Sequence, residues 1–114
     1  MSNVVNRIDQ FGFLAVRSER DGDKDVIALT GELDVDGVQR VTQELRRAEA
    51  TAAHQIVLDL SNLEFIDSSG IQLIFEADAR SRADGKRLRL VRGPHNVQRV
   101  FELTGLVDRL PFID

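Results

Sequence analysis

Cysteine is absent from this sequence of 114 residues. Its absence removes any disulfide framework and any thiolate metal site, and fits a reducing compartment. Long hydrophobic runs are also missing. The longest, Phe13 to Val16 and Val26 to Leu29, end at four residues. A membrane-spanning helix needs about 20 apolar residues and a signal-peptide core about 7–15. Neither is expected, and the chain reads as soluble and cytoplasmic. Charge of one sign is not in excess either. Fifteen Lys and Arg face nineteen Asp and Glu, for a net charge of −4, which calls for neither nucleic acid nor an anionic membrane as partner.

The catalytic vocabulary is equally thin. His54 and His95 are the only histidines, and with no Cys and no His-x-x-x-His spacing they form no metal-ligand set. A Gly-x-Ser-x-Gly elbow is lacking, and neither histidine sits in a motif that aims it at a serine, so hydrolytic chemistry is not expected. Asp59 could pass for a phosphoacceptor at a strand end. Such sites need clustered acids and a late lysine, whereas Lys24 and Lys86 are the only lysines and stand elsewhere. The basic run of Arg80, Arg82, Lys86, Arg87, Arg89 and Arg92 contains no aromatic to stack a base and no Gly-rich phosphate loop accompanies it. It reads as a solvated face. No repeat, low-complexity tract or linker interrupts the chain.

The residues that are present describe one domain. Residues 1–12 read as a loosely ordered lead-in with a short docked piece at Val4-Val5, and the domain proper spans 13–114. Phe13–Arg17 and Asp25–Thr30 read as strands joined by Asp21-Gly22-Asp23-Lys24 into a hairpin. A helix follows, with Val38, Val41, Leu45 and Ala48 on one stripe, Asp34 or Asp36 as cap, and Glu44, Arg46 and Arg47 on a solvated face. Gln55–Leu60 is the third strand. The next helix runs to about Ala83, stopped by Asp84-Gly85, with an exposed Glu76–Arg80 pair. Lys86–Arg92 is the fourth strand. Asn96 caps a short helix carrying Val97, Val100, Phe101 and Leu103, which Gly105 ends, and Leu110–Ile113 closes the chain as an edge strand or irregular tail. Strands alternating with helices imply an α/β layer.

Between the third strand and the second helix stands Asp67-Ser68-Ser69-Gly70. Three capping side chains before a helix place hydroxyls beside unpaired N–H groups, a natural seat for an anion. One serine there is ordinarily a cap. Two, preceded by an acid, exceed what capping requires, and the residues alone leave both readings open.

The run Ile56–Leu60 followed by Leu63-Glu64-Phe65-Ile66-Asp67-Ser68-Ser69-Gly70 resembles the central motif of the STAS domains, named for sulphate transporters and anti-sigma-factor antagonists. Gly31-Glu32-Leu33-Asp34 and Leu103-Thr104-Gly105-Leu106 match two flanking motifs in order. The resemblance implies a four- to five-stranded mixed sheet with three to four helices mainly on one side. It also implies a stand-alone anti-sigma-factor antagonist, not an enzyme and without cofactor. In that family the unmodified domain binds an anti-sigma factor that is also a serine kinase and frees the sigma factor. Phosphorylation, here on Ser68, reverses this, and a serine phosphatase resets it. Asp34 is expected near Ser68, and Asp34, Asp67, Ser69, Gly70 and Gln72 are the expected partner-binding residues. A scaffold or structural subunit of a larger regulatory or transport complex, with weak nucleotide binding, is the alternative. Self-association stays open.

Overall fold

The computed structural model describes residues 7–11 by their backbone, and 13–105 and 107–113 in full. The Val4-Val5 piece and Leu106 lie outside these residues. In chain order the elements are β1 (Arg7–Phe11), β2 (Leu14–Asp21), β3 (Lys24–Leu33), α1 (Val35–Glu49), β4 (Gln55–Ile66), α2 (Ser68–Ala83), β5 (Leu88–Val91), α3 (His95–Leu103), a 3-10 turn (Val107–Arg109) and β6 (Phe112–Ile113). The mixed α/β sheet is the expected class, and among the described residues it holds six strands in the order β1-β2-β3-β4-β5-β6. The addition is β1, within the lead-in that sequence assigned to loose order. It pairs antiparallel with β2 from Arg7↔Ser18 to Phe11↔Leu14. Arg-Ile-Asp-Gln-Phe carries no strong strand pattern of its own; the unpaired edge of β2 supplies the partner.

The hairpin of β2 and β3 turns at Gly22, whose φ of 62° meets the requirement of a two-residue loop for a left-handed first position. From β4 onward each strand is parallel to the one before it. Crossovers between parallel strands are right-handed as a rule, and three of that hand stepping in one direction put their helices on one face. Burial agrees. Val16, Leu29, Ile27, Leu58, Ile56, Leu88 and Leu90 share a register face and are fully or nearly fully buried, whereas Arg17, Ala28, Asp59 and Val91 on the opposite face are exposed or half-buried. Val41, Leu45, Ala48, Ile74, Ala77, Val97 and Phe101 fill the covered side. Phe101 meets Phe112 edge to face at 5.3 Å between centroids, an arrangement worth about 0.5–1.5 kcal/mol beyond area burial. Leu103, expected in the α3 stripe, is exposed instead.

Strand β4 does not stop at Leu60 as its alternation suggests; it runs to Ile66. Its register against β3 slips by one residue between Asp59 and Asn62 and again between Leu63 and Phe65. These two bulges convert the inward spacing from two to three, so that Leu60, Leu63 and Ile66 are all buried. The sequence therefore loses its two-residue period while the chain remains a strand.

Three charged groups differ from the solvated roles expected of them. Glu44 is 2% exposed and accepts from Ser18 Oγ at 2.6 Å, from Arg40 at 2.9 Å and from Arg47. Arg80 pairs with Glu49 of α1 through Nε and Nη2 at 3.0 Å each, while Glu76 accepts from Gln72. Arg87 donates to the carbonyls of Glu49, Thr51 and Ala53 and to Asp84. It thus satisfies acceptors that the end of α1 leaves without partners. Part of the basic run is therefore a clamp between the C-terminal ends of α1 and α2.

Candidate functional site

The parallel strands β3 and β4 end side by side at the paired residues Leu33 and Ile66. The next residue in each case is an aspartate that caps a helix. Asp34 Oδ1 accepts from Asp36 N at 3.0 Å. Asp67 Oδ1 accepts from Ser69 N at 2.9 Å and Gly70 N at 3.3 Å. The N-termini of α1 and α2 therefore open together at one end of the sheet, tied by a bond from Asp67 N to the Leu33 carbonyl. Asp34 is brought to the Ser68 end of the molecule, as expected.

The two serines fare differently. Neither is the cap; that role belongs to Asp67, and helix geometry already begins at Ser68. Ser69 is half-buried, and its hydroxyl donates to Asp67 Oδ1 at 2.5 Å. Ser68 is exposed, and its hydroxyl has no hydrogen-bond partner among the described residues. The hydrogen bond from Ser69 is the main reason the Asp67 carboxyl titrates below its usual range, with the Gly70 and Ser69 amides adding to it against the cost of burial. Asp67 thus stays ionised, engaged with Ser69 and the helix amides. No general base is bonded to Ser68, so it is an accessible hydroxyl rather than an activated nucleophile.

Gly70 faces inward. A Cβ there would lie 2.7 Å from Ile66 Cγ1 and 2.9 Å from Leu33 Cγ. The glycine lets α2 sit close against the ends of β3 and β4. Gly31 has a comparable task. Its φ is 103°, and a Cβ would fall 2.1 Å from the Phe13 carbonyl oxygen, which accepts from Glu32 N at 3.0 Å. Gly31-Glu32-Leu33-Asp34 is thereby explained in part by a left-handed glycine, a buried leucine and a cap. Gln72 is exposed one turn beyond Ser68 and bonds Glu76 at 3.3 Å. Asn96, expected as the α3 cap, lies inside that helix and donates to the Glu64 carbonyl at 2.8 Å, holding α3 against the extension of β4.

Sequence reasoning missed the apolar rim of this end. Phe13, beside Gly31 and Glu32, is 78% exposed; Val35, the first residue of α1, is 73% exposed; Phe65, paired with Glu32, is 46% exposed. Three large apolar side chains left in water around two helix N-termini form a surface suited to a protein partner. The signal was available in Phe65 and Val35, each adjoining a motif aspartate or its preceding residue, but periodicity alone assigns such residues to a core.

A family model described as "Mlab, STAS domain" matches residues 16–112. The chain belongs to the STAS domain family. It is 27% identical over 82 residues to the anti-sigma-B factor antagonist of Staphylococcus epidermidis, covering 72% of this chain and 76% of that one. It is 32% identical over 75 residues to osmosensory protein A of Mycobacterium tuberculosis, covering 66% of this chain but 47% of that longer protein. Among solved structures, an anti-sigma factor antagonist from Mycobacterium paratuberculosis superposes with a TM-score of 0.75 at 24% identity, covering 87% of this chain and 84% of that one. The unphosphorylated form of the anti-sigma factor antagonist SpoIIAA gives 0.68 at 23% identity, over 96% and 89% of the two chains. These superpositions establish the STAS fold for this chain. No helix among the described residues is long and apolar enough to cross a membrane.

Proposed function

We propose that this STAS domain is an anti-sigma-factor antagonist that works by partner switching. The unmodified domain binds an anti-sigma factor that is also a serine kinase, through the end of the sheet where Asp34, Asp67, Ser68 and Gln72 meet the rim of Phe13, Val35 and Phe65. The kinase transfers a phosphoryl group from ATP to Ser68 Oγ, the complex dissociates, and a serine phosphatase restores the hydroxyl. The domain supplies the acceptor and not the catalysis, and the need for ATP places it in the cytoplasm. The observation that carries the choice of residue is the contrast between the serines: Ser69 is held by Asp67, and Ser68 is exposed and unbonded. Supporting the wider reading, three of the proteins above carry the antagonist name, and one of them, SpoIIAA, has been solved in a phosphorylated form as well.

A phosphate on Ser68 adds about −1.5 to −2 charges. At the first position of α2 it would be favoured by the helix terminus by about 0.3–1 kcal/mol, and repelled to a similar degree by Asp67 and Asp34. Neither effect approaches the ~5–15 kcal/mol of a domain's stability, so the fold persists. Binding fails because a dianion replaces a neutral hydroxyl in a desolvated contact.

Incubation with candidate kinases and mass-spectrometric mapping tests this reading. Phosphate should be found on Ser68. Ser68→Ala should bind the kinase yet never be released, with stability within about 0.5 kcal/mol of wild type, since no bond is lost. Phosphate on Ser69 would overturn the choice of residue, and none with any kinase would point instead to a structural subunit of a larger complex. Amide shifts spreading from Ser68 across α1 and the sheet would replace the local switch with a conformational one.

A further inference from the structure

At the other end of α2, about 20 Å from Ser68 for a 16-residue helix rising 1.5 Å per residue, the surface opens into a cleft of about 460 Å³. Arg82, Lys86, Arg89 and Arg109 line it above Leu88 and Leu110. The single carboxylate among its lining residues, Asp78, is bonded to Arg82 Nε at 2.9 Å. Four cations to one engaged acid invert locally the sign of a chain whose net charge is −4.

The cleft is built rather than incidental. Arg82 Nη2 donates to the Arg109 carbonyl at 2.6 Å, tying α2 to the 3-10 turn. Arg89 Nη1 donates to the carbonyls of Lys86 and Leu88 at 2.8 Å each. Both fix the frame from which Lys86 and Arg109 project, and those two exposed side chains have no partner among the described residues. The backbone at Lys86 is unusual as well. Helix α2 ends with Gly85 left-handed at φ 82° and Lys86 N donating to the Ser81 carbonyl at 2.7 Å. That terminus requires one left-handed residue, the glycine. Lys86 is a second, at φ 60°, and is the only non-glycine with positive φ among the described residues. Glycine or asparagine would adopt this conformation more readily. The turn into β5 explains the backbone, and the lysine side chain is left to be explained by what it faces.

We propose that this cleft binds a small oxyanion carrying two or more negative charges, of the inorganic diphosphate or triphosphate class, between Lys86 on the α2–β5 turn and Arg109 on the 3-10 turn. Guanidinium and ammonium groups converging from two segments match the oxygens of such an anion through charge-assisted bonds. No aromatic residue lines the cleft, so a nucleoside adds nothing to recognition. The bound anion would bridge the two turns and stiffen this end of the domain.

The full chain, titrated at low ionic strength with sodium pyrophosphate and then triphosphate, should give saturable amide shifts confined to residues 81–89 and 107–111, weakening as chloride is added. Lys86→Gly should keep or raise the melting temperature, because glycine takes the φ freely, yet weaken binding roughly tenfold, as loss of one charge-assisted contact implies. Arg109→Gln should do likewise. Lys24→Gln, at the hairpin tip, should leave the affinity unchanged, and ATP should bind no tighter than triphosphate. Non-saturable shifts, an equal loss in Lys24→Gln, or ATP binding far more tightly would each overturn the assignment. Ser68→Ala should bind the anion as wild type does, so this site and the switch at Ser68 stand or fall separately.

Discussion

Replacing Glu44 by glutamine removes one charge from the interior and nothing else of size. In the native chain burial acts to raise the Glu44 carboxyl, but hydrogen bonds from Ser18, Arg47 and Arg40 outweigh it and lower its pKa from 4.5 to about 2. A depression of that order corresponds to about 3 kcal/mol of stability at neutral pH. The sign follows from the direction: the contribution is complete above the unfolded pKa near 4.5 and is lost as pH falls towards 2. In Glu44→Gln the amide oxygen, standing for Oε1, can still accept from Ser18 and Arg47, while the NH2 standing for Oε2 meets Arg40, donor against donor; the flipped amide sets its NH2 against Arg47 and Ser18 instead. Arg47, whose side chain is 39% exposed, can turn to water; Arg40, at 11%, has less freedom to do so. The expected cost at pH 7 is therefore about 2–4 kcal/mol, somewhat below the full penalty for breaking a buried pair. Urea denaturation at pH 7 and at intervals down to about pH 2 would measure it. Wild type should lose its advantage over the variant across that range, and the two should converge near its lower end. Parallel curves throughout, or a loss at pH 7 below about 1 kcal/mol, would show that the arginines solvate Glu44 no better than water does.

Gly70→Ala should destabilise by about 1–3 kcal/mol, the range for overpacking, because its Cβ would press on Ile66 and Leu33; thermal unfolding checks this, and Gly70→Val should be worse. Asp67→Ala should cost about 0.5–2 kcal/mol as a lost cap, with the Ser69 amide exchanging faster by hydrogen-exchange NMR, whereas Asp67→Asn should recover most of it. Arg87→Ala orphans carbonyls at Glu49, Thr51 and Ala53. It should lower stability by about 2–3 kcal/mol and expose the end of α1 to exchange without altering binding through Ser68.

The hairpin, the α1 stripe and the end of α2 were legible because a period or a turn residue marks each: Asp21-Gly22-Asp23-Lys24, Val41 with Leu45 and Ala48, and Asp84-Gly85. The second half of β4 was not legible, since its bulges alter the inward period at the motif itself. Glu44 was misread because a helical wheel gives a residue's angle, not the arginines and the serine from β2 that converge on it. Arg80 and Arg87 similarly have partners, Glu49 and the α1 terminus, that lie far away in sequence. At the candidate site, the motif residues could be named from sequence, but not which aspartate oxygen holds which serine. That distinction between Ser68 and Ser69 is a matter of hydrogen-bond geometry, which spacing does not encode.

Every strand of the sheet lies against the strand made just before it. A nascent chain leaving the ribosome at about 5–20 residues per second would therefore always meet a finished edge, never one still to be synthesised. Short sequence separations keep loop-closure entropy low and assembly fast for a parallel sheet. The sequence of events also orders the molecule's two ends. When β4 docks on β3, the Leu33 carbonyl is already in place to receive the Asp67 amide, and the loop holding Ser68 takes its shape as soon as α2 begins. The cleft at the far end waits for β5 and the 3-10 turn, so the serine surface can be assembled while the opposite pole is still being written.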